Sequence, residues 1–150
     1  MPAPYKGGCQ CGAVRYEISA EPATLYVCHC TECQKQTASA FGMSVTYPTE
    51  SVKITKGEMK VWRRMADSGA EVFCRFCSTC GTRLFHGKDS RAHYINLKAG
   101  TLDDCSWLKP VGHVWTKRAQ PWVYIEEGVL KFEAQPEDPE ALFKAWNARR

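Results

Sequence analysis

Nine cysteines in a chain of 150 residues constrain this protein more than any other feature of its sequence. Three clusters hold eight of them and the ninth stands apart: Cys9 and Cys11; Cys28, Cys30 and Cys33; Cys74, Cys77 and Cys80; and Cys105. Disulfides rarely join cysteines only two or three residues apart, and an odd number leaves one unpaired. Because the chain starts without the apolar segment of a secretory signal, we expect a cytoplasmic protein whose thiols bind metal ions.

Composition and charge narrow the possible partners. Apolar residues make up 44% of the chain and charged residues 24%, which is ordinary for one globular domain. No apolar run approaches the roughly 20 residues of a membrane span. The formal net charge is +4, but seven thiolates and two Zn²⁺ would add seven negative and four positive charges, leaving about +1. We therefore expect neither a membrane nor nucleic acid as a partner.

Short runs of alternating apolar and polar side chains predict a mainly β protein. Val14, Tyr16 and Ile18 alternate with polar residues in the first such run. Further strands are predicted at residues 25–28, 41–47, 51–55, 59–62, 71–76, 93–97, 113–115 and 122–125. The length of the chain favours a single domain over residues 1–150.

A helix is predicted near the end of the sequence, over residues 138–148. Asp138 can cap its first turn, and Pro139 suits the first helical position. Its apolar face consists of Leu142, Phe143 and Trp146. A shorter helical turn is predicted from Glu32 to Ala40.

The spacing of four cysteines predicts a closed metal site. Residues i and i+2 of an extended chain face the same side, so Cys9 and Cys11 can bind one ion. Cys77 and Cys80 form a CxxC pair that closes through a tight turn, beside Gly81, which can adopt a positive φ. Four thiolates bind zinc tetrahedrally, and such a site stabilises the fold.

The remaining cluster, Cys28, Cys30 and Cys33, then has three thiols and no fourth protein ligand. A zinc ion with three protein ligands and one open position is typical of a catalytic site. Strand alternation directs His29 away from the face of Cys28 and Cys30, so we expect it to pack or to form hydrogen bonds near the site.

Other pairings remain open on spacing alone. A zinc-ribbon site could combine Cys30 and Cys33 with Cys77 and Cys80, which would make that site purely structural. The fourth ligand of the three-cysteine cluster could be Cys74, Cys105 or His29. An iron–sulfur cluster could use Cys74, Cys77 and Cys80. The polar residues considered for proton transfer are Asp67, Glu71 and His113.

Three sequence motifs carry a resemblance to a known family. They are GGCQCGAVRY (7–16), CHCTECQKQTASAF (28–41) and FCSTCGTRLF (76–85). In this order they resemble the glutathione-dependent formaldehyde-activating enzymes, the GFA or CENP-V family. HVWTKRAQPW (113–122) and EEGVLKFE (126–133) fit the later part of the same family. The resemblance covers about residues 5–134, so the terminal helix lies outside it, and Ala38 stands where many relatives have glycine.

The resemblance implies a β-tent fold with two zinc ions per chain. By motif position, the structural zinc would be bound by Cys9, Cys11, Cys77 and Cys80. The catalytic zinc would be bound by Cys28, Cys30 and Cys33. The implied activity is that of a carbon–sulfur lyase, which forms or cleaves S-hydroxymethylglutathione or a related thiol–aldehyde adduct. The implied partners are a thiol such as glutathione and an aldehyde.

A second function class fits the same residues. A small, slightly basic chain with metal-bound cysteines is also typical of a zinc-stabilised, non-enzymatic binding module for protein or nucleic acid. The two classes differ in one respect: only the enzyme needs an open position on one of its metal ions.

Overall fold

A computed structural model describes residues 2–89 and 92–149 of the chain. Its regular elements, in chain order, are β1 Tyr5–Gly8, β2 Arg15–Ile18, β3 Thr24–Cys28, α1 Thr31–Thr37, β4 Gly42–Pro48, β5 Val52–Lys56, β6 Met59–Met65, β7 Glu71–Cys77, β8 Arg83–Gly87, β9 Tyr94–Lys98, β10 Gly112–Val114, β11 Leu130–Lys131 and α2 Ala141–Ala148. The prediction of a mainly β protein with a C-terminal helix is confirmed. Neither of the α-helices in the described ranges is long and apolar enough to cross a membrane.

The chain divides into two compact units. The first contains Met1–Pro22 and Thr46–Trp107, and the second contains Ala23–Val45 and Leu108–Arg150. The chain passes from the second unit back to the first within β4. The prediction of a single domain over residues 1–150 stays a prediction.

The first unit contains two sets of antiparallel strands. Strands β1, β2 and β5 form a three-stranded sheet in that order, and β6 to β9 lie side by side in chain order. Tyr16 and Phe85 are buried between these strands, and their rings meet edge to face at 5.3 Å. Tyr16 also lies opposite Gly7 of β1. Aromatic burial of this kind supplies a large part of the stability of a small unit.

The second unit packs its strands against α2. Strand β10 pairs in parallel with both β3 and β11. Leu142 of α2 lies in a cluster with Cys28, Cys33 and Val114. Trp146, one turn further along α2, is also buried, so the apolar face predicted for this helix does face the core. The hydroxyl of Thr24 donates to the Leu142 carbonyl at 3.0 Å, which links β3 to α2.

The predicted strand at 122–125 is wrong. This segment has no strand pairing, and the side chains of Trp122 and Tyr124 are 76% and 79% exposed. A short apolar run such as WVYI forms a strand only where a neighbouring strand satisfies its backbone groups, and the described residues provide none here.

The C-terminal helix begins at Ala141 instead of residue 138. The side chain of Asp138 accepts a hydrogen bond from the Glu140 backbone at 2.9 Å, and its carbonyl accepts one from Ala141. These bonds form a turn before the helix, because a short acidic side chain readily bonds to backbone two residues on.

Candidate metal centres

Four thiols converge within the first unit. The sulfur atoms of Cys9, Cys11, Cys77 and Cys80 all lie within 4.8 Å of one another. Cys9 and Cys11 flank the turn between β1 and β2, whereas Cys77 ends β7. The Cys9–Cys11 and Cys11–Cys77 sulfur distances are 3.6 and 3.8 Å. Four sulfurs bound tetrahedrally at about 2.3 Å from zinc are separated by roughly 3.8 Å, so the donor set and its spacing fit this ion.

Hydrogen-bond donors surround this four-cysteine group. The backbone N–H of Val14 donates to the sulfur of Cys9 at 3.2 Å, and that of Thr79 donates to Cys77 at 3.4 Å. The side-chain hydroxyl of Thr82 lies 3.1 Å from the Cys80 sulfur, and this hydrogen bond is the main cause that lowers the pKa of Cys80 to about 5. Metal binding needs the thiolate form, so these donors favour a bound cation.

Three thiols converge within the second unit. The sulfur atoms of Cys28, Cys30 and Cys33 also lie within 4.8 Å of one another. Cys28 is the last residue of β3, Cys30 is the N-cap of α1, and Cys33 lies in the first turn of that helix. The end of a strand and the start of a helix therefore place the three sulfurs around one point. The chemistry of this donor set fits zinc with one coordination position left over.

The sulfurs of the three-cysteine group strongly affect one another. Hydrogen bonds from the thiols of Cys28 and Cys33 lower the pKa of Cys30 to about 2. The same interactions raise the pKa of Cys28 far above its ordinary value. One thiolate is thus stable in this group, but further ionisation is opposed by like charge. A divalent cation would remove that opposition, which is a reason to expect one here.

Two further donors point at the three-cysteine group. The backbone N–H of Cys33 donates to the Cys30 sulfur at 3.3 Å, an N-cap interaction made by a thiol. The side-chain amide of Gln36 donates to the Cys33 sulfur at 3.5 Å. Such contacts around ligands orient them and tune the metal.

The structure brings together the same two sets of cysteines that the spacing suggested. Cys77 and Cys80 converge with Cys9 and Cys11 and not with Cys30 and Cys33, which argues against a zinc-ribbon pairing. Within the described residues, neither Cys74 nor Cys105 belongs to a group of converging ligand atoms. Cys74 is buried in β7, and Cys105 donates to the Leu102 carbonyl at 3.3 Å.

A hydrogen-bonded line of two buried histidines and a half-buried carboxylate runs through the second unit. His29 has no exposed surface, and its Nε2 lies 2.8 Å from Nδ1 of His113. His113 Nε2 lies 3.2 Å from a carboxylate oxygen of Glu126. Burial, followed by the charge of His113, lowers the pKa of His29. His29 hydrogen-bonds near the cysteines, as expected, and is not part of either group of possible ligands.

Glu126 begins the EEGVLKFE segment that fits the family pattern, but the sequence predicts no role for this residue. Of the residues predicted for proton transfer, Asp67 and Glu71 lie in and after the β6–β7 turn of the first unit. Only His113 belongs to the unit that holds the three-cysteine group. The sequence carries no local signal for Glu126, since its partner lies 13 residues earlier in a different element.

A shallow cavity of about 500 Å³ lies next to α1. Its lining residues are Gln34, Lys35, Ala38, Ser39, Ala40, Gln120 and Trp122. Gln34 links the segments that line this cavity. Its side-chain NH₂ group donates to the backbone carbonyls of His29 and Arg118, and its side-chain oxygen accepts from the amide of Gln120. The polar groups of the cavity are two side-chain amides, a hydroxyl and an ammonium group, which lie beside the indole of Trp122.

The fold and the two cysteine groups define a mainly β protein with two sites that could each hold a metal ion. Over residues 4–118 the chain matches the family described as "Glutathione-dependent formaldehyde-activating enzyme", or GFA. The chain therefore belongs to the GFA family, as the sequence motifs indicated. Its fold is also similar to the crystal structure of a Rhodobacter sphaeroides protein, with a TM-score of 0.52 and 18% sequence identity. That similarity covers 85% of this chain and 98% of the other, and at this identity it concerns the fold alone.

Proposed function

We propose that this protein is a zinc-dependent carbon–sulfur lyase that forms or cleaves a thiol–aldehyde adduct, S-hydroxymethylglutathione or a close relative. The observation that carries the proposal is the three-cysteine group of a GFA-family chain, whose converging sulfurs leave one position of a tetrahedral ion without a protein ligand among the described residues. The proposal extends to a cytoplasmic location, with glutathione and formaldehyde as substrates.

The two groups take different roles in this proposal. Cys9, Cys11, Cys77 and Cys80 bind a structural zinc, because four thiolates complete its coordination. Cys28, Cys30 and Cys33 bind a second zinc at the reaction site. When bound there, zinc supplies an open position for a substrate sulfur or a carbonyl oxygen. With three thiolates around a divalent ion the centre has a net charge near −1, which favours an electron-rich, nucleophilic sulfur.

The reaction needs no oxidant or reductant. The thiol loses its proton, and its sulfur bonds to the aldehyde carbon while the electron pair of the C=O π bond moves to oxygen. The proton lost by the thiol ends on that oxygen, which becomes the hydroxyl of the adduct. Cleavage reverses each of these steps. The chain contributes by holding the reactants close together, which accounts for a large share of the rate in such additions.

The cavity beside α1 is our candidate site for the rest of the thiol substrate. Lys35 lies two residues after Cys33 and lines this cavity, where its ammonium group can attract a carboxylate. We expect Lys35→Gln to raise the KM for glutathione by up to about fivefold with little change in kcat, since an exposed ion pair contributes at most about 1 kcal/mol. This prediction is tested by steady-state kinetics, with Lys131→Gln as the control variant. An equal rise in the KM of both variants would contradict it.

The proposed function is tested by mixing the zinc-loaded protein with ¹³C-formaldehyde and glutathione and following exchange between free and adduct carbon by NMR. We expect Cys30→Ser to abolish the enzymatic exchange and to remove one of two bound zinc ions. Cys105→Ser is the matched control, since Cys105 is exposed and lies outside both groups. Absent catalysis in the wild type, or equal catalysis in the Cys30 variant, would refute the proposal.

One observation favours a second candidate, a binding module. Trp122 and Tyr124 are large aromatic side chains that lie almost fully exposed in one segment, and such residues are enriched at protein interfaces. A binding module would show full zinc content and no catalysis, together with an affinity for a partner that is lost in Tyr124→Ala, since Tyr124 is exposed and does not line the cavity. Activity that survives Tyr124→Ala with unchanged zinc content would favour the lyase.

A further inference from the structure

The positive charge of this chain is concentrated in two successive strands of the first unit. Residues 52–65, which comprise β5, β6 and the turn between them, hold five of the 20 basic side chains and only one of the 16 acidic ones. This segment therefore accounts for the whole formal net charge of +4, and the rest of the chain is neutral by the same count. A local excess of one sign favours partners of the opposite sign.

Both strands lie at the edge of a sheet. Among the described residues, β5 pairs only with β2, and β6 pairs only with β7. Alternate residues of an edge strand direct their backbone N–H and C=O groups away from the sheet, where another strand can pair with them. Strand β6 has seven residues and β5 has five, so β6 offers the longer edge for an added strand.

Strand β6 exposes large apolar side chains as well as its backbone. Val61, Trp62 and Met65 are 46%, 48% and 64% exposed. A long edge strand with exposed apolar side chains readily pairs with another extended chain. Because β6 contains no acidic residue, pairing with a second copy would place three positive charges beside three others. The charges thus oppose self-association and favour an acidic partner.

The charges of β6 are arranged around Trp62. Lys60 and Arg64 lie two residues before and after it, and side chains at this spacing share one face of a strand. The guanidinium group of Arg83 in β8 lies 5.4 Å from the centre of the Trp62 ring and adds a further positive charge. No ion pair among the described residues involves Lys60. A strand added here would therefore meet an aromatic ring between two cations.

We propose that the outer edge of β6 binds an acidic, extended segment of a partner protein, which adds to the sheet as a further strand. Side chains directly opposite each other on neighbouring strands interact in pairs. The bound segment carries acidic residues opposite Lys60 and Arg64, with an apolar or aromatic residue between them, opposite Trp62. On the other face Arg63 already pairs with Glu71 at 3.8 Å, so the face of Trp62 decides the sequence preference.

A peptide fits this edge better than nucleic acid does. Nucleic acid can use the positive charge, but it has no peptide backbone with which to continue the hydrogen-bonded ladder of the sheet. The binding site is independent of the proposed activity, which belongs to the three-cysteine group of the second unit.

The binding test uses the zinc-loaded protein and a labelled synthetic peptide, acetyl-VEEFVEV-amide, designed to pair antiparallel with β6. We expect fluorescence anisotropy to show saturable binding that weakens with added salt. Lys60→Glu should weaken binding about tenfold, because it replaces an attraction by a repulsion and each of these changes affinity by a few-fold at an exposed site. The control is Lys109→Glu, at an exposed position of the second unit, which changes the net charge equally. Equal weakening by both variants would overturn the proposal.

Amide hydrogen exchange tests the addition of a strand. We expect the peptide to slow exchange at alternate residues of β6, whose N–H groups point outward, and to leave exchange in β5 unchanged. Binding without this protection, or equal affinity for the charge-reversed peptide acetyl-VKKFVKV-amide, would overturn the proposal.

Two other occupants of this edge predict different results. A second copy would protect the same β6 amides without peptide, and a dimer would form as the protein concentration rises in size-exclusion chromatography. Nucleic acid as the true ligand would bind, as single-stranded DNA, more tightly than the peptide and would leave the β6 amides unprotected. Either result would overturn the proposal.

Discussion

Ala38 has a backbone conformation that a non-glycine residue rarely adopts. It ends α1 in the left-handed region, with φ 51° and ψ 37°, and its backbone N–H donates to the carbonyls of Gln34 and Lys35. Glycine is the usual residue at this position of a helix end because it has no Cβ to clash in this conformation. Many relatives have glycine at the position of Ala38. The left-handed conformation of this residue is a physical reason for that preference.

We expect Ala38→Gly to stabilise the protein by about 0.5–1 kcal/mol, because relief of left-handed strain exceeds the added freedom of the unfolded chain. Chemical denaturation measures this change. The matched control is Ala119→Gly, at the end of the short 3₁₀ turn Thr116–Arg118, where φ is −60° and no strain exists to relieve. Equal stabilisation by both substitutions would show that strain at Ala38 is not the cause.

At the scale of elements, the first unit depends on the close approach of β1 to its neighbours. Gly7 pairs with Tyr16 of β2 and forms an isolated bridge to Leu102. A Cβ at Gly7 would lie 2.3 Å from both the Thr101 carbonyl oxygen and the Tyr16 hydroxyl, which in turn bonds to the Thr101 hydroxyl at 2.9 Å. Glycine is therefore required at this position because there is no room for a Cβ atom, and not because of an unusual backbone conformation.

We expect Gly7→Ala to destabilise the protein by about 1–3 kcal/mol, since backbone atoms must move to admit the methyl group. Because β1 leads directly to Cys9, the displacement should also speed the loss of the zinc that we propose for the four-cysteine group. Thermal unfolding and chelation measure the two effects. Gly100→Ala is the control, because nothing lies within 4 Å of its added Cβ; a similar loss there would contradict a specific clash.

Seven of the nine cysteines fall into two groups that differ in how far apart in the sequence their members lie. The four-cysteine group joins segments 66 residues apart in the sequence, between Cys11 and Cys77. A cross-link over such a distance restricts the unfolded chain strongly, so a metal ion bound by this group would contribute directly to folding. The three-cysteine group spans only six residues and can contribute little in this way.

We expect two zinc ions per chain that differ in the rate of their removal by a chelator. The ion of the three-cysteine group should leave first, with activity lost and the circular dichroism spectrum retained, because an open position admits the chelator. Removal of the second ion should unfold the first unit. Parallel measurement of zinc release, ellipticity and activity tests this order. A single tightly held zinc, or activity that outlasts the release of the first ion, would contradict it.

Most of the strands could be predicted from local patterns because β-sheets bury alternate residues. Ile18 and Tyr16 are both fully buried in β2, as their alternation predicted. The apolar run WVYI at 122–125 also suggested a strand, but it has no neighbouring strand among the described residues, and its Trp122 and Tyr124 side chains are exposed. Alternation of apolar and polar residues also did not predict β1, because Gly7 and Gly8 have no side chains that could form such a pattern.

Spacing within the sequence determined which cysteines could share an ion, because neighbours at i+2 and i+3 are brought together by any strand or tight turn. It also determined the mainly β character and the apolar face of α2. Only the tertiary structure decided that Cys9 and Cys11 meet Cys77 and Cys80, and that His29 meets His113 and Glu126. The bond between the two histidines joins residues 84 positions apart, and it forms because β10 pairs in parallel with β3. No local pattern encodes such a contact, since it depends on the register of two strands that are distant in the chain.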